Sequence, residues 1–250
     1  MASCERTEVV RSVATLRRPP REGKHAPLAP STRSSHARAV LRVLLERDGL
    51  VAVDKPTGLP TTGRDLDDPR CVQHALAVQL RRPTWAVHQL DASTSGVCLF
   101  VTKKSLVAPW SERLARGSKR YLALVQGVPT WETTTVDAPM RYVKARGRVV
   151  VVADGKDAFT ALRRVAVGPM HALVEARPRT GRTHQVRVHL AHVGHPLVGD
   201  PLHGRGTEPD ADGALLHLAA IELDGLTIAS ALPQAFASAA AGREIERGST

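Results

Sequence analysis

Aromatic side chains are scarce in this chain: Phe, Trp and Tyr make up 3% of its 250 residues. A nucleic-acid surface built on rows of stacked bases has little to draw on here. Any polyanionic partner has to be held mainly by charge and shape. Cysteine is rarer still, with Cys4, Cys71 and Cys98 odd in number, far apart and without a CxxC pair. That usage argues against a disulfide framework or a Cys-rich zinc site and fits a reducing cytosol. No apolar run approaches the roughly 20 residues that a membrane helix needs. The N-terminus lacks a continuous apolar signal core, so a soluble, cytoplasmic chain is expected. Its Arg- and Ser-bearing start has the composition of an organelle transit peptide, but Glu5 and Glu8 run against that reading. GxGxxG, P-loop and GxSxG patterns are also missing. No nucleotide cofactor is therefore implied, and a triad of Ser95, a histidine and Asp200 lacks its nucleophile elbow.

What the chain has in excess is positive charge: 35 Lys and Arg against 24 Asp and Glu, a net +11. Its pI near 10.4 suits a polyanionic partner, nucleic acid before an anionic membrane surface. Before Asp48, ten Lys or Arg less four Glu place +6 of that charge in the leading fifth. Residues 17–35 mix Pro, Ser and basic residues without periodicity, which reads as an extended arm. Such an arm is either a solvated tail or a segment that follows a nucleic-acid backbone. The expected organisation is a basic arm over 1–40, a folded body over 41–230, and an Ala-rich terminal helix and tail over 231–250.

The body reads as strands broken by a few helices. A short helix is expected over HARAVLRVLLERDG, closing at Gly49. Leu50–Val53 is a β-type run, Val72–Arg82 has helical spacing, and Leu106–Ala115 is a further helix. Strands are expected over Ala86–Leu90 and Val97–Thr102, flanking DASTSG, and over YLALVQG, TTTVD, GRVVVVAD, FTALRRVAV and HALVEARP. Without regular βαβ alternation, this order predicts an α+β domain on a mixed, mostly antiparallel sheet.

Two stretches concentrate candidate chemistry. In HQLDASTSG, Asp91 is either an ordinary turn former, accepting hydrogen bonds from amides two or three residues on, or a carboxylate aimed outward by strands on both sides. In TGRTHQVRVHLAHVGHPLVGDPLHG, Thr183 is placed to cap a helix to about Val193, with Val186, Leu190 and Val193 facing the core. His184 and Arg187 then share another face, where an arginine can hold a carboxylate ionised. The plain alternative for that face is an exposed helix salt bridge. His184, His189, His192, His195 and His203 raise a metal site, but the HExxH pattern and a Cys partner are missing, so none is expected.

VAVDKPTGLP (51–60), HQLDASTSGVCLFVTK (88–103), KRYLALVQG (119–127) and the 180–204 stretch together resemble the RluA-type pseudouridine synthases, in the family's own order from about Leu50 to Leu223. The resemblance implies isomerisation of uridine to pseudouridine in ribosomal or transfer RNA by a monomeric enzyme without cofactor or metal. It also implies a pseudouridine synthase catalytic domain over 41–230, on a large central sheet with a cleft. By motif position, Asp91 is implied as the catalytic aspartate. Tyr121 corresponds to the tyrosine that packs on the target base and is a candidate for handling its proton; Arg187 corresponds to the arginine paired with the aspartate. Gln89, Lys55, Arg182 and His184 are expected to contact RNA. The base has to be flipped out at a cost of a few kcal/mol, which contacts to phosphate offset. Two positions depart from the family: Gln89 stands where Arg usually fills the space left by the base, and His203 where Tyr is usual. Gln lacks the charge and fork of Arg, which leaves a non-catalytic RNA-binding or ribosome-assembly protein as the alternative.

Overall fold

The computed structural model describes residues 40–65, 67–204 and 213–245. The basic arm of residues 1–40 lies, but for Val40, outside the described residues. Where the helix expected over residues 36–49 can be described, it is a strand. Arg42–Arg47 (β1) pairs antiparallel with Leu50–Lys55 (β2), with Arg47 opposite Leu50. Between them Asp48 and Gly49 both take positive φ, 52° and 78°. This is the two-residue turn that Asp-Gly favours, because its twist matches that of the strands it joins. The apolar spacing of RVLLER suits a helix equally well, and pairing with β2 decides between them.

The remaining strands are Trp85–Ala86 (β3), Thr94–Val101 (β4), Ser118–Gln126 (β5), Thr133–Asp137 (β6), Met140–Val143 (β7), Arg148–Val151 (β8), Phe159–Val167 (β9), His171–Pro178 (β10), Leu216–Leu223 (β11) and Leu226–Ala229 (β12). The α-helices are Val72–Leu80 (α1), Val107–Arg116 (α2), Gln185–His192 (α3) and Gln234–Ala241 (α4). Ten strands form one sheet in the order β1-β2-β4-β11-β5-β10-β9-β6, with β3 on β4 and β12 on β11; β7 and β8 form a separate hairpin. All pairings are antiparallel except that of β4 with β11, where Thr94 lies opposite Leu216. The strand expected over 86–90 shrinks to β3, and the one expected over 97–102 begins three residues earlier. LHLAAIEL, absent from the expected strands, supplies the middle of the sheet.

Both faces of the sheet are covered around β4, which is why VCLFV runs apolar without alternation: every residue from Thr94 to Val101 is buried. The helices α1 and α2 cover this half through Val72, Leu76, Trp110 and Leu114. Along β5 the period of two is clear. Leu122 and Leu124 join the cluster that holds Phe236 and Ala240 of α4. Ala123 and Val125, with Tyr121 against them, join the opposite cluster, which holds Val186 and Leu190 of α3. The parallel junction needs Gly96. Its φ is +110°, and a Cβ there would sit 2.2 Å from the Leu218 carbonyl oxygen.

Candidate active site

The loop that carries Asp91 is clamped from beneath by the KPTGLPTT segment. The amide of Thr94 donates to the Asp91 carbonyl at 3.0 Å, closing a turn ahead of β4. Thr61 exchanges hydrogen bonds with the backbone of Leu90, donating to its carbonyl at 2.8 Å and accepting from its amide at 2.9 Å. Lys55, expected to meet RNA, is instead fully buried. Its ammonium donates to the carbonyls of Pro56 (2.8 Å), Ala92 (3.2 Å) and Thr94 (2.8 Å). Burial lowers its pKa to about 8. A buried ammonium is tolerated only where its protons find acceptors. Here it finds three, two of them in the Asp91 turn, so Lys55 shapes the loop from behind and has no surface to offer RNA.

Arg187 reaches the same loop from α3. Its Nη1 donates to Asp91 Oδ2 at 2.8 Å. Its other edge forms a bidentate pair with Asp200, Nε to Oδ2 at 2.9 Å and Nη2 to Oδ1 at 2.8 Å. The Asp200 side chain is fully buried and the Arg187 side chain 5% exposed, whereas Asp91 is 28% exposed. Asp200 Oδ1 also accepts from the amides of Leu202 and His203. Burial alone would raise the Asp200 pKa, but the Arg187 hydrogen bonds and charge, with those two amides, hold it below the usual range. The guanidinium is thus fixed by one buried carboxylate and presents its free edge to the exposed one. His184 approaches from the other side, its Nε2 3.6 Å from Asp91 Oδ1 and its Nδ1 3.4 Å from His203 Nε2. Burial lowers the pKa of both rings, that of His203 to about 4.

The start of α3 differs from the expected cap. Thr183 is exposed and His184 is the cap residue, in the left-handed region at φ 55°. That twist turns the His184 ring back toward Asp91. Gln185 takes over the bonding of this corner: its Oε1 accepts from Thr180 Oγ1 (2.7 Å) and the Arg182 amide (3.0 Å), and its Nε2 donates to the Phe159 carbonyl (2.9 Å). The other histidines of the stretch have separate duties, His189 between Thr160 and the Ala138 carbonyl, and His195 on the Gln126 carbonyl. Ser95 bonds His217 at 3.0 Å while Asp200 is occupied by Arg187, so the paper triad is not assembled.

Asp91, Tyr121 and Arg187 line one cleft of about 430 Å³, together with Gln89, Arg182 and His184. That volume lies in the range that holds a small ligand. Burial, reinforced by the Asp91 charge, pushes the Tyr121 phenol well above its ordinary pKa, so it enters any reaction protonated. Gln89 is exposed at the mouth and bonds Thr62, its Nε2 donating at 3.1 Å. Arg182 is exposed, with its Nε on the Asp157 carbonyl at 3.0 Å. Sequence reasoning overlooked Asp200 as the anchor of Arg187 and Lys119 as a wall of the cleft. Both had a signal: Asp200 lies inside the GDPLHG end of the quoted stretch, and Lys119 is two residues from Tyr121 on one strand.

The mixed sheet that carries this site has counterparts of the same fold among solved structures. The human RNA pseudouridylate synthase domain containing 4 shares this fold with a TM-score of 0.69 at 23% identity, over 83% of this chain and 95% of that one. The family model for RNA pseudouridylate synthase matches residues 49–192. An uncharacterised RNA pseudouridine synthase of Zymomonas mobilis is 34% identical over 209 residues, 78% of this chain and 95% of that protein. The ribosomal large subunit pseudouridine synthase D of Nitrosomonas europaea is 39% identical over 194 residues, 72% of this chain but only 55% of that protein. The chain belongs to the RNA pseudouridylate synthase family, in its RluA-type branch, and with it to the enzymes that isomerise uridine in RNA.

Proposed function

We propose that this chain converts uridine to pseudouridine at defined positions of structured ribosomal or transfer RNA, with the target base flipped into the cleft and Asp91 as the catalytic carboxylate. One observation carries the reading: Arg187, pinned by buried Asp200, holds the Asp91 carboxylate at 2.8 Å on the wall that Tyr121 shares. In the isomerisation the N1–C1′ bond breaks, a C5–C1′ bond forms, C5 gives up its proton and N1 ends with one. No atom is gained or lost. A carboxylate suits such a cycle because it can attack carbon or take a proton and be regenerated unchanged. Fixing it in place before substrate arrives spares that ordering cost during the reaction. Tyr121, protonated, offers a ring to pack on the base and a phenol proton to donate. His184, Arg182 and Gln89 are positioned to meet the nucleotide and its backbone, and basic contacts to phosphate offset the cost of flipping.

A second reading has Gln89 on its side. With a neutral side chain tied to Thr62 where the family carries Arg, the chain could bind RNA without turning it over. Mapping pseudouridines across cellular RNA, with the chain present, absent, or replaced by Asp91→Asn, separates the two. The enzyme reading expects at least one site lost in both the absence and the Asp91→Asn strain, with RNA affinity of the variant nearly intact. RNA binding with no lost site would establish the second reading.

A further inference from the structure

We propose that Lys119 anchors a backbone phosphate of the RNA strand that crosses the cleft, an inference that rests on the reading of this cleft as an RNA site. The pairing register strings the site out along the sheet. Ala123, Tyr121 and Lys119 of β5 lie opposite Leu216, Leu218 and Ile221 of β11, and Leu216 lies opposite Thr94. Asp91, three residues before Thr94, is therefore at one end, Tyr121 is in the middle, and Lys119 is at the far end. Two residues along a strand separate Tyr121 from Lys119 by roughly 7 Å, with both side chains on one face. On the β10 side the chain leaves Pro178 for Thr180 and exposed Arg182, so a second cation borders this end of the cleft.

Lys119 is half-buried, and its ammonium makes no hydrogen bond or ion pair to the described residues. Among the described residues no carboxylate pairs with it. Asp91 is engaged by Arg187 and flanked by His184. His88, also on the cleft wall, accepts the Leu99 amide on Nε2 and stays neutral, its pKa lowered to about 3 by burial with Lys119 adding in the same direction. Burial lowers the Lys119 pKa as well, as expected for an ammonium whose lost hydration has no replacement. A neutral uracil carbonyl repays little of that cost, whereas a phosphate oxygen supplies both the charge and the acceptor. Lys119 is thus a cation held in readiness for an anion that arrives with the substrate.

The test compares Lys119→Met and Lys119→Arg with the parent chain on unmodified transcripts of the host's transfer and ribosomal RNAs, reading affinity across salt, turnover and melting temperature. Lys119→Met is expected to weaken binding about tenfold at moderate salt and to lower the salt slope by about one. It should raise KM with little change in kcat and melt no lower than the parent, because an unanswered charge is removed. Lys119→Arg should recover most of the binding. An unchanged slope and affinity overturn the proposal, as does a fall in kcat with KM and slope intact, which assigns the lysine to the base. If the parent modifies no transcript while the slope still depends on Lys119, the phosphate contact stands and the isomerase reading falls. If the parent modifies a transcript regardless of Lys119, the reverse holds.

Discussion

Arg187 is answered by two carboxylates of different exposure, and that asymmetry governs what each one does. Asp200, fully buried, orients the guanidinium; Asp91, open to the cleft, receives it. Removing one partner of a buried ion pair leaves the other uncompensated, at roughly 3–5 kcal/mol. Asp200→Asn is therefore expected to lower unfolding free energy by about 3 kcal/mol in urea melts. Single-turnover pseudouridine formation should drop at least tenfold; a full rate at reduced stability would show that the anchor is dispensable for chemistry. The pH dependence has a definite sign. A carboxyl whose folded pKa lies below its unfolded value contributes stability that is fully present above the unfolded value, near 4, and is lost as pH falls through the folded one. Acid titration of the parent should show this loss below about pH 4, and the Asp200→Asn variant should lack that part of it. At this scale the sequence marked Asp91, Tyr121 and Arg187 through their motifs, and the cleft gathers all three. It also marked Lys55, whose KPTG motif identifies the segment but not the direction its ammonium points. Burial under the Asp91 turn is a fact of packing between residues 37 and 39 positions apart.

The strand β4 begins inside DASTSG, which locates Asp91 more tightly than a turn between two separate strands would. Only Ala92 and Ser93 separate the carboxylate from a strand that is buried throughout and paired on both edges. The parallel contact with β11 is close enough that only glycine fits at position 96, with left-handed backbone and a neighbouring carbonyl where Cβ would stand. Gly96→Ala is expected to cost at least 2 kcal/mol by forcing the two strands apart, with activity falling alongside. Thermal melting and pseudouridine assay together check it; a variant that melts with the parent would mean that β4 and β11 can part without consequence. Elements with a local signature, such as α1, α2, β5, β9 and β10, lie close to where periodicity put them. The misplaced ones are those whose pattern is ambiguous over a short span. RVLLER suits a helix until β2 pairs with it, and α3 starts from a left-handed His184 without a side-chain cap, while the Gln185 side chain ties the corner ahead of it to Thr180, Arg182 and Phe159.

Over the whole chain, charge divides between the arm and the body. Residues 1–40 hold eight Lys or Arg less three Glu, +5 of the total +11. Deleting them is expected to weaken RNA binding and flatten its dependence on salt while leaving the melting temperature of the body within a few degrees. An unchanged salt slope would mark the arm as inert. No helix among the described residues is long and apolar enough to cross a membrane. By itself the sequence determined the α+β class, the polyanion-seeking charge, the family, and the residue types of the site, because composition, period and motif order are written along the chain. Only the tertiary structure decided which of those residues meet. Asp91 and Arg187 are 96 positions apart, and Lys119, Lys55 and Asp200 acquire their roles from register and burial. Which protons of a cation find acceptors, and which remain for a ligand, depends on distances between strands that a linear pattern does not contain.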